Sequence, residues 1–132
     1  VSIAKSTIRV KGENRIPEIE KEMKDMSDYV KKMVDNVLIA YVKTDKDDAK
    51  LIAKMDDQVN EWYSNIYYQT IEAMKNDSEL IVMGTEYINI AQYLERIGDY
   101  VTNICEWIVY LATGKISELN SNRDEFFWKI VN

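Results

Sequence analysis

The chain has 132 residues, 46% of them apolar and 30% charged, and a net charge of −6. This balance fits one globular domain with a modest core and speaks against a nucleic-acid surface, which needs clustered lysine and arginine. Histidine is absent, which removes the usual imidazole base, the imidazoles of zinc sites and the Glu-x-x-His motif of di-iron bundles.

One proline, four glycines and long 3.6-residue periodicities predict helix almost throughout. Residues 2–11 read as a helix that ends at Gly12, and residues 13–16 are a polar break. Pro17 suits the first turn of a new helix, with Glu18, Glu20 and Glu22 near its positive end. Its apolar stripe is Ile16, Ile19, Met23, Met26, Val30, Met33, Val37, Leu38 and Tyr41, running to about Lys43. Thr44 and Asp45-Lys46-Asp47-Asp48 are expected to cap and open a second helix. That helix carries Ala49, Ile52, Ala53, Val59, Tyr63, Ile66, Tyr67, Ile71 and Met74.

Lys75-Asn-Asp-Ser78 reads as the next turn, with Asp77 or Ser78 as N-cap. A third helix follows from about Glu79 to Thr113, stopped by Gly114. Its stripe is Tyr87, Ile90, Ala91, Leu94, Ile97, Val101, Ile104, Cys105 and Ile108. Residues 115–132 form a tail in which Asp124–Val131 can make a short amphipathic helix. Three long helices with short turns predict an all-α, up-down-up, spectrin-repeat-like bundle with short extra helices at both ends. Ser2–Ile8 also aligns with Asn103–Val109, each run ending a few residues before a glycine, so the same helix ending occurs twice.

No apolar run approaches the roughly 20 residues needed to span a bilayer, and none reads as a secretory leader, so a cytoplasmic location is expected. Val1 in place of an initiator Met leads us to expect a fragment or a processed chain. Cys105 lies on the apolar stripe and reads as a small buried hydrophobe.

Chemistry enters with four residues. Asp56 falls about 20° from Tyr63, where the stripe asks for an apolar side chain, and Asn60 about 60° away. Glu95 and Asp99 are four apart on the border of the third stripe, so both project from one side. A buried carboxylate without a partner costs several kcal/mol or becomes neutral. Two readings fit. Arg96 or lysines of neighbouring helices neutralise the acids, or Asp56, Asn60, Glu95 and Asp99 form an all-oxygen set for a hard cation such as Mg²⁺, Ca²⁺, Mn²⁺ or ferric iron. Outward aromatics (Trp62, Tyr68, Tyr93, Tyr100, Trp107) exceed what a solvated face needs and are expected to meet a partner or the bundle edges.

The run Leu94-Glu-Arg-Ile-Gly-Asp-Tyr-Val-Thr-Asn-Ile-Cys-Glu-Trp-Ile-Val-Tyr-Leu-Ala-Thr-Gly114 resembles the C-terminal signature of the PhoU family, the bacterial phosphate-uptake regulators. Met55-Asp-Asp-Gln-Val-Asn-Glu-Trp-Tyr63 is similar to that family's Asp-Asp-x-Val-Asp-x-x-Tyr pattern. The resemblance covers about residues 16–120. It implies two tandem three-helix repeats, with residues 1–12 as the tail of a preceding repeat, 16–114 as one repeat and 115–132 as a C-terminal tail. It also implies metal at the Glu/Asp-x-x-x-Asp motifs, here Asp56…Asn60 and Glu95…Asp99, with iron, zinc, manganese or magnesium as candidate ions. Asn60 departs from the family's usual Asp and supplies no charge.

The role the resemblance implies is regulation of phosphate uptake and of starvation signalling. The chain would be a non-enzymatic adaptor between the ATPase subunit of the phosphate ABC transporter and a sensor histidine kinase, homodimeric and at the membrane only through its partners. The absence of a nucleophile–base pair and of a Gly-rich phosphate loop agrees with this. The alternatives are a PhoU-like domain of a sodium–phosphate cotransporter or other membrane protein, and a purely structural helical module. A metal-dependent hydrolase fits worst, lacking a base.

Overall fold

A computed structural model of the chain describes residues 14–114. The fold is the all-α, three-helix bundle that the periodicity predicts. Helix α1 spans Pro17–Lys43, α2 Lys46–Asn76 and α3 Ile81–Thr113, with a 3₁₀ turn at Ser78–Leu80 between α2 and α3. The short helices expected within residues 1–12 and 124–131, and the repeat argument built on them, lie outside the described residues. Among the described residues no helix is long and apolar enough to cross a membrane.

Local chemistry sets the helix ends. Pro17 opens α1, with Glu18 and Glu20 in its first turn, where carboxylates meet the positive end of the macrodipole. At the other end the Asp45 N–H donates to the Ala40 carbonyl at 3.0 Å and the Thr44 N–H to the Tyr41 carbonyl at 3.1 Å. This is a Schellman ending, and Thr44 occupies its left-handed position with φ of 49°. Thr44 therefore closes α1, whereas the sequence had suggested a cap for α2. Asp45 alone caps α2, its Oδ1 accepting from the Asp48 N–H at 3.0 Å. Asp77 Oδ1 accepts from the Glu79 N–H at 3.0 Å, so α3 begins at Ile81 after one 3₁₀ turn and not at Glu79. Gly114, at φ of 71°, stops α3.

Each helix contributes one segment to each of two compact units, residues 14–29 with 59–96 and residues 30–58 with 97–114. In the first, Ile19, Met23 and Met26 of α1, Val59 and Ile66 of α2, and Met83, Tyr87, Ile90, Ala91 and Leu94 of α3 are buried. Gly84 is the close approach there: a β-carbon would sit 2.6 Å from Met74 Sδ and 3.0 Å from Thr70 Cγ2. In the second unit, Val30, Met33, Val37, Ala40, Ala49, Ile52, Ala53, Val101, Cys105, Ile108 and Val109 are buried. Burying each Val, Ile or Met contributes about 1.5–3 kcal/mol before chain entropy is counted.

The α1 seam is narrower than its composition suggests. Ile19, Met23, Met26, Val30, Met33, Val37 and Ala40 step by four and three alternately, the heptad spacing of a helix seam. Leu38 and Tyr41 sit one place off this seam and are 56% and 54% exposed, contrary to their expected place on the stripe. Tyr67 of α2 is likewise exposed, and Thr70 takes the seam position beyond Ile66.

Candidate functional site

The α2 seam runs Ala49, Ile52, Asp56, Val59, Ile66, Thr70, and all six are buried. Asp56 points inward as its spacing predicts and has no exposed surface. In its unit, α3 adds Thr102, Asn103 and Glu106, all buried, beside Cys105. Burial pushes the Cys105 thiol from its usual 9.0 up to about 12, and the negative charges of Glu106, Asp48 and Asp56 push the same way. Glu106 and Asp56 therefore share the electrostatic neighbourhood of one thiol. As a thiol with its anion suppressed, Cys105 is inert, as its place on the stripe suggests. Thr102 Oγ1 donates to the Gly98 carbonyl of its own helix at 3.2 Å.

Asp99 belongs to this unit too and is half-buried, while Asn60 and Glu95 belong to the first unit, each half-buried. Among the described residues no three Asp, Glu or Cys side chains gather as the ligands of an ion. Asn103 and Glu106 were missed because they follow apolar periodicity badly. A usable signal was present: Glu95, Asp99, Asn103 and Glu106 recur at steps of four, four and three, one polar stripe along α3.

The first unit holds a different polar arrangement. The hydroxyl of the buried Tyr87 accepts from the Ile16 N–H at 2.9 Å and donates to Glu20 Oε2 at 2.5 Å. Arg15 Nε reaches both Glu20 oxygens, at 3.1 and 2.9 Å, and its terminal nitrogen also bonds Oε1. The Arg15 hydrogen bond holds Glu20 below its ordinary value, with burial opposing and the Tyr87 bond assisting. Burial first, then the bond to Glu20, raises the Tyr87 phenol to about 12. This network pins the segment entering α1 onto α3.

Two grooves lie among the described residues. One, about 470 Å³, lies in the first unit against Ile16, Ile19, Tyr68 and Ala73; the other, about 360 Å³, lies in the second against Tyr41, Ile104, Trp107 and Leu111. Of the aromatics expected outside, Tyr68 and Tyr100 are exposed and Trp62, Tyr93 and Trp107 half-buried. Trp62 packs edge-on against Tyr29, their centroids 5.2 Å apart.

The profile of the PhoU domain matches residues 23–108. The chain belongs to the PhoU family. The phosphate-specific transport system accessory protein PhoU homolog of Clostridium acetobutylicum is 39% identical over 120 residues, 91% of this chain and 54% of that protein. The PhoU homolog of the same description from Streptococcus pneumoniae is 35% identical over 118 residues, 89% of this chain and 54% of that protein. The crystal structure of the phosphate transport system regulatory protein PhoU from Streptococcus pneumoniae matches with a TM-score of 0.80 at 34% identity, covering 89% of this chain and 55% of that one. The chain thus spans about half the length of the relatives it matches. Both regions that carry the PhoU resemblance, residues 55–63 and most of 94–114, fall inside the matched stretch.

Proposed function

We propose that the chain is part of a regulator of phosphate uptake, a non-enzymatic adaptor that docks the ATPase subunit of the phosphate transporter and a sensor histidine kinase. The observation that carries this is membership of the PhoU family, together with relatives described as phosphate-specific transport system accessory proteins. Adaptor work needs surface rather than a reaction centre. Large apolar side chains are exposed in each unit, Tyr68 in one and Leu38, Ile39, Val42, Leu51 and Leu111 in the other, and exposed apolar side chains of this kind are what docking faces are made of. The test is titration of the purified chain against the purified ATPase subunit and the cytoplasmic part of the kinase by calorimetry. Saturable binding to both is expected, and heat from neither overturns the adaptor role.

A metal ion is the second part of the proposal, with iron, zinc, manganese or magnesium held through Asp56, Asn60, Glu95 and Asp99. Its support is the oxygen chemistry of that set and the family's acidic motifs. Among the described residues no three acids gather as ligands, so the ion would draw also on the Asn60 amide oxygen and on water, as hard cations do. Metal content of the purified chain beside a Glu95→Gln/Asp99→Asn variant decides this part. Stoichiometric metal in the parent and none in the variant is expected; equal content in both, including none, removes the site.

A further inference from the structure

The groove of the first unit joins the start of α1 to the last turns of α2, and among the described residues the two charged side chains of its lining are acids, Glu18 and Glu72. Its apolar wall is Ile16, Ile19 and Ala73, with Tyr68 standing beside it 70% exposed. Gln69, also in the lining, donates to Glu22 at 2.6 Å and holds a third carboxylate on the same face. Lys75 comes within 3.8 Å of Glu72, but both side chains are about two-thirds exposed. A pair so exposed is weak and yields to a better-placed cation.

We propose that this groove docks an amphipathic segment of a partner protein, an apolar side chain entering between Ile19, Ala73 and Tyr68 while lysines or arginines face Glu18 and Glu72. Apolar anchor and rim charge are the two parts of helix-in-groove recognition, and complementary charge decides which partner is steered in and which repelled. A second copy would bring the same acids against themselves, and an anionic lipid surface would meet them with like charge. Among the described residues the groove of the second unit has no charged side chain in its lining, so its described wall offers no charge to select an occupant. The inference deepens the adaptor reading by naming a partner's chemistry, and it rests on that reading only in requiring a partner. Its test involves neither transporter nor kinase, so the two can fail separately.

The probe is a fluorescent helical peptide of about five turns, built of leucine on one face and lysine on the other, beside a counterpart with glutamate for lysine. Anisotropy titration against the chain at about 0.15 M salt is expected to show the lysine peptide binding about tenfold or more tightly than the glutamate one. Glu18→Lys/Glu72→Lys is expected to weaken the lysine peptide about tenfold, equivalent to about 1.4 kcal/mol, and Tyr68→Ser to weaken it independently of charge. Asp35→Lys/Asp47→Lys changes net charge equally at exposed positions outside the groove and should leave binding within about twofold, since its effect is general screening. Circular dichroism establishes that each variant is folded. Equal loss in both charge variants, indifference to Tyr68→Ser, or no binding by the parent overturns the proposal. So does self-association by sedimentation that Glu18→Lys/Glu72→Lys abolishes, which would assign the groove to a second copy.

Discussion

The two units contain segments of the same three helices, yet they differ in where their polar groups gather. In residues 14–29 and 59–96 Thr70 and Glu86 are buried, but the linked polar groups lie towards the edge, where Arg15, Glu20, the Tyr87 hydroxyl and the Ile16 N–H form one network and Gln69 binds Glu22. In residues 30–58 and 97–114 more of them go inside: Asp56, Thr102, Asn103 and Glu106 are buried, while Leu38, Ile39, Tyr41, Val42, Leu51, Tyr100 and Leu111 are exposed, against Tyr67, Tyr68, Ile81 and Val82 in the first unit. The α3 segment of that unit is buried almost all round from Val101 to Val109, which marks a core helix rather than a surface one. An arrangement with acids inside and aliphatics outside is poor economy for an isolated bundle. It suits a region whose outer face is covered by another surface.

The contrast is tested hardest by cutting into each core. Ile66 and Ile108, both without exposed surface, lie one in each unit. Ile66→Ala and Ile108→Ala should each lose about 2–5 kcal/mol in urea unfolding. Hydrogen exchange on the same variants should show the largest loss of protection within the unit that was cut. Uniform loss along the chain would erase the division into two units.

A gentler cut compares the polar groups. Tyr87→Phe leaves a part-buried Ile16 N–H without its acceptor and takes a donor from Glu20, a loss of about 1–3 kcal/mol. Thr102→Val removes a hydroxyl that, among the described residues, bonds into its own helix and leaves a carbonyl already in the helical ladder, so the cost should be about 1 kcal/mol or less. Thermal melts rank the pair, and the reverse order would mean that Thr102 sustains more of the buried polar set than its own helix.

Most of the fold was legible because period and punctuation agreed. Pro17, Asp77 and Gly114 act where their chemistry said they would, and Asp56 was found inside because a polar residue on a seam position is conspicuous. Leu38 and Tyr41 were misplaced because apolar character was read as burial, whereas the 4-3 spacing alone decides which of two adjacent apolar positions faces inward. Glu86, Asn103 and Glu106 were not foreseen as buried, since on a helix covered on more than one side a polar side chain no longer implies solvent. The 3₁₀ turn before Ile81 depends on Asp77 bonding two residues ahead, a choice sequence leaves open between several caps.

The strained turns supply a smaller comparison. Asn14 and Thr44 both have positive φ, 67° and 49°. Asn tolerates that region, while a β-branched residue is strained there. Thr44→Gly should therefore raise stability by about 1 kcal/mol, and Asn14→Gly should change it by a few tenths at most. Equal gains would show that the Thr44 hydroxyl and methyl cost nothing in the Schellman ending.

The finest distinction is made by alkali. Cys105 in one unit and Tyr87 in the other have pKa values raised to about 12, from ordinary values of 9.0 and 10.0. In each case burial disfavours the anion more in the folded chain than in the unfolded one. Each contribution is thus complete below the unfolded value and lost as pH rises towards the folded value. For Cys105 the loss begins near pH 9 and for Tyr87 near pH 10, both continuing to about pH 12. Urea midpoints measured from pH 8 to 11 should fall first through the thiol and then more steeply as the phenol joins. Cys105→Ala should flatten the curve from about pH 9 and Tyr87→Phe only above about pH 10, whatever each costs at neutral pH. Glu20 acts at the other end: its value is lowered, so its contribution is present above the ordinary carboxylate range and lost as pH falls through the folded value. If Cys105→Ala left the alkaline slope untouched, the thiol would be reached by water, and the burial that raises its value would be wrong.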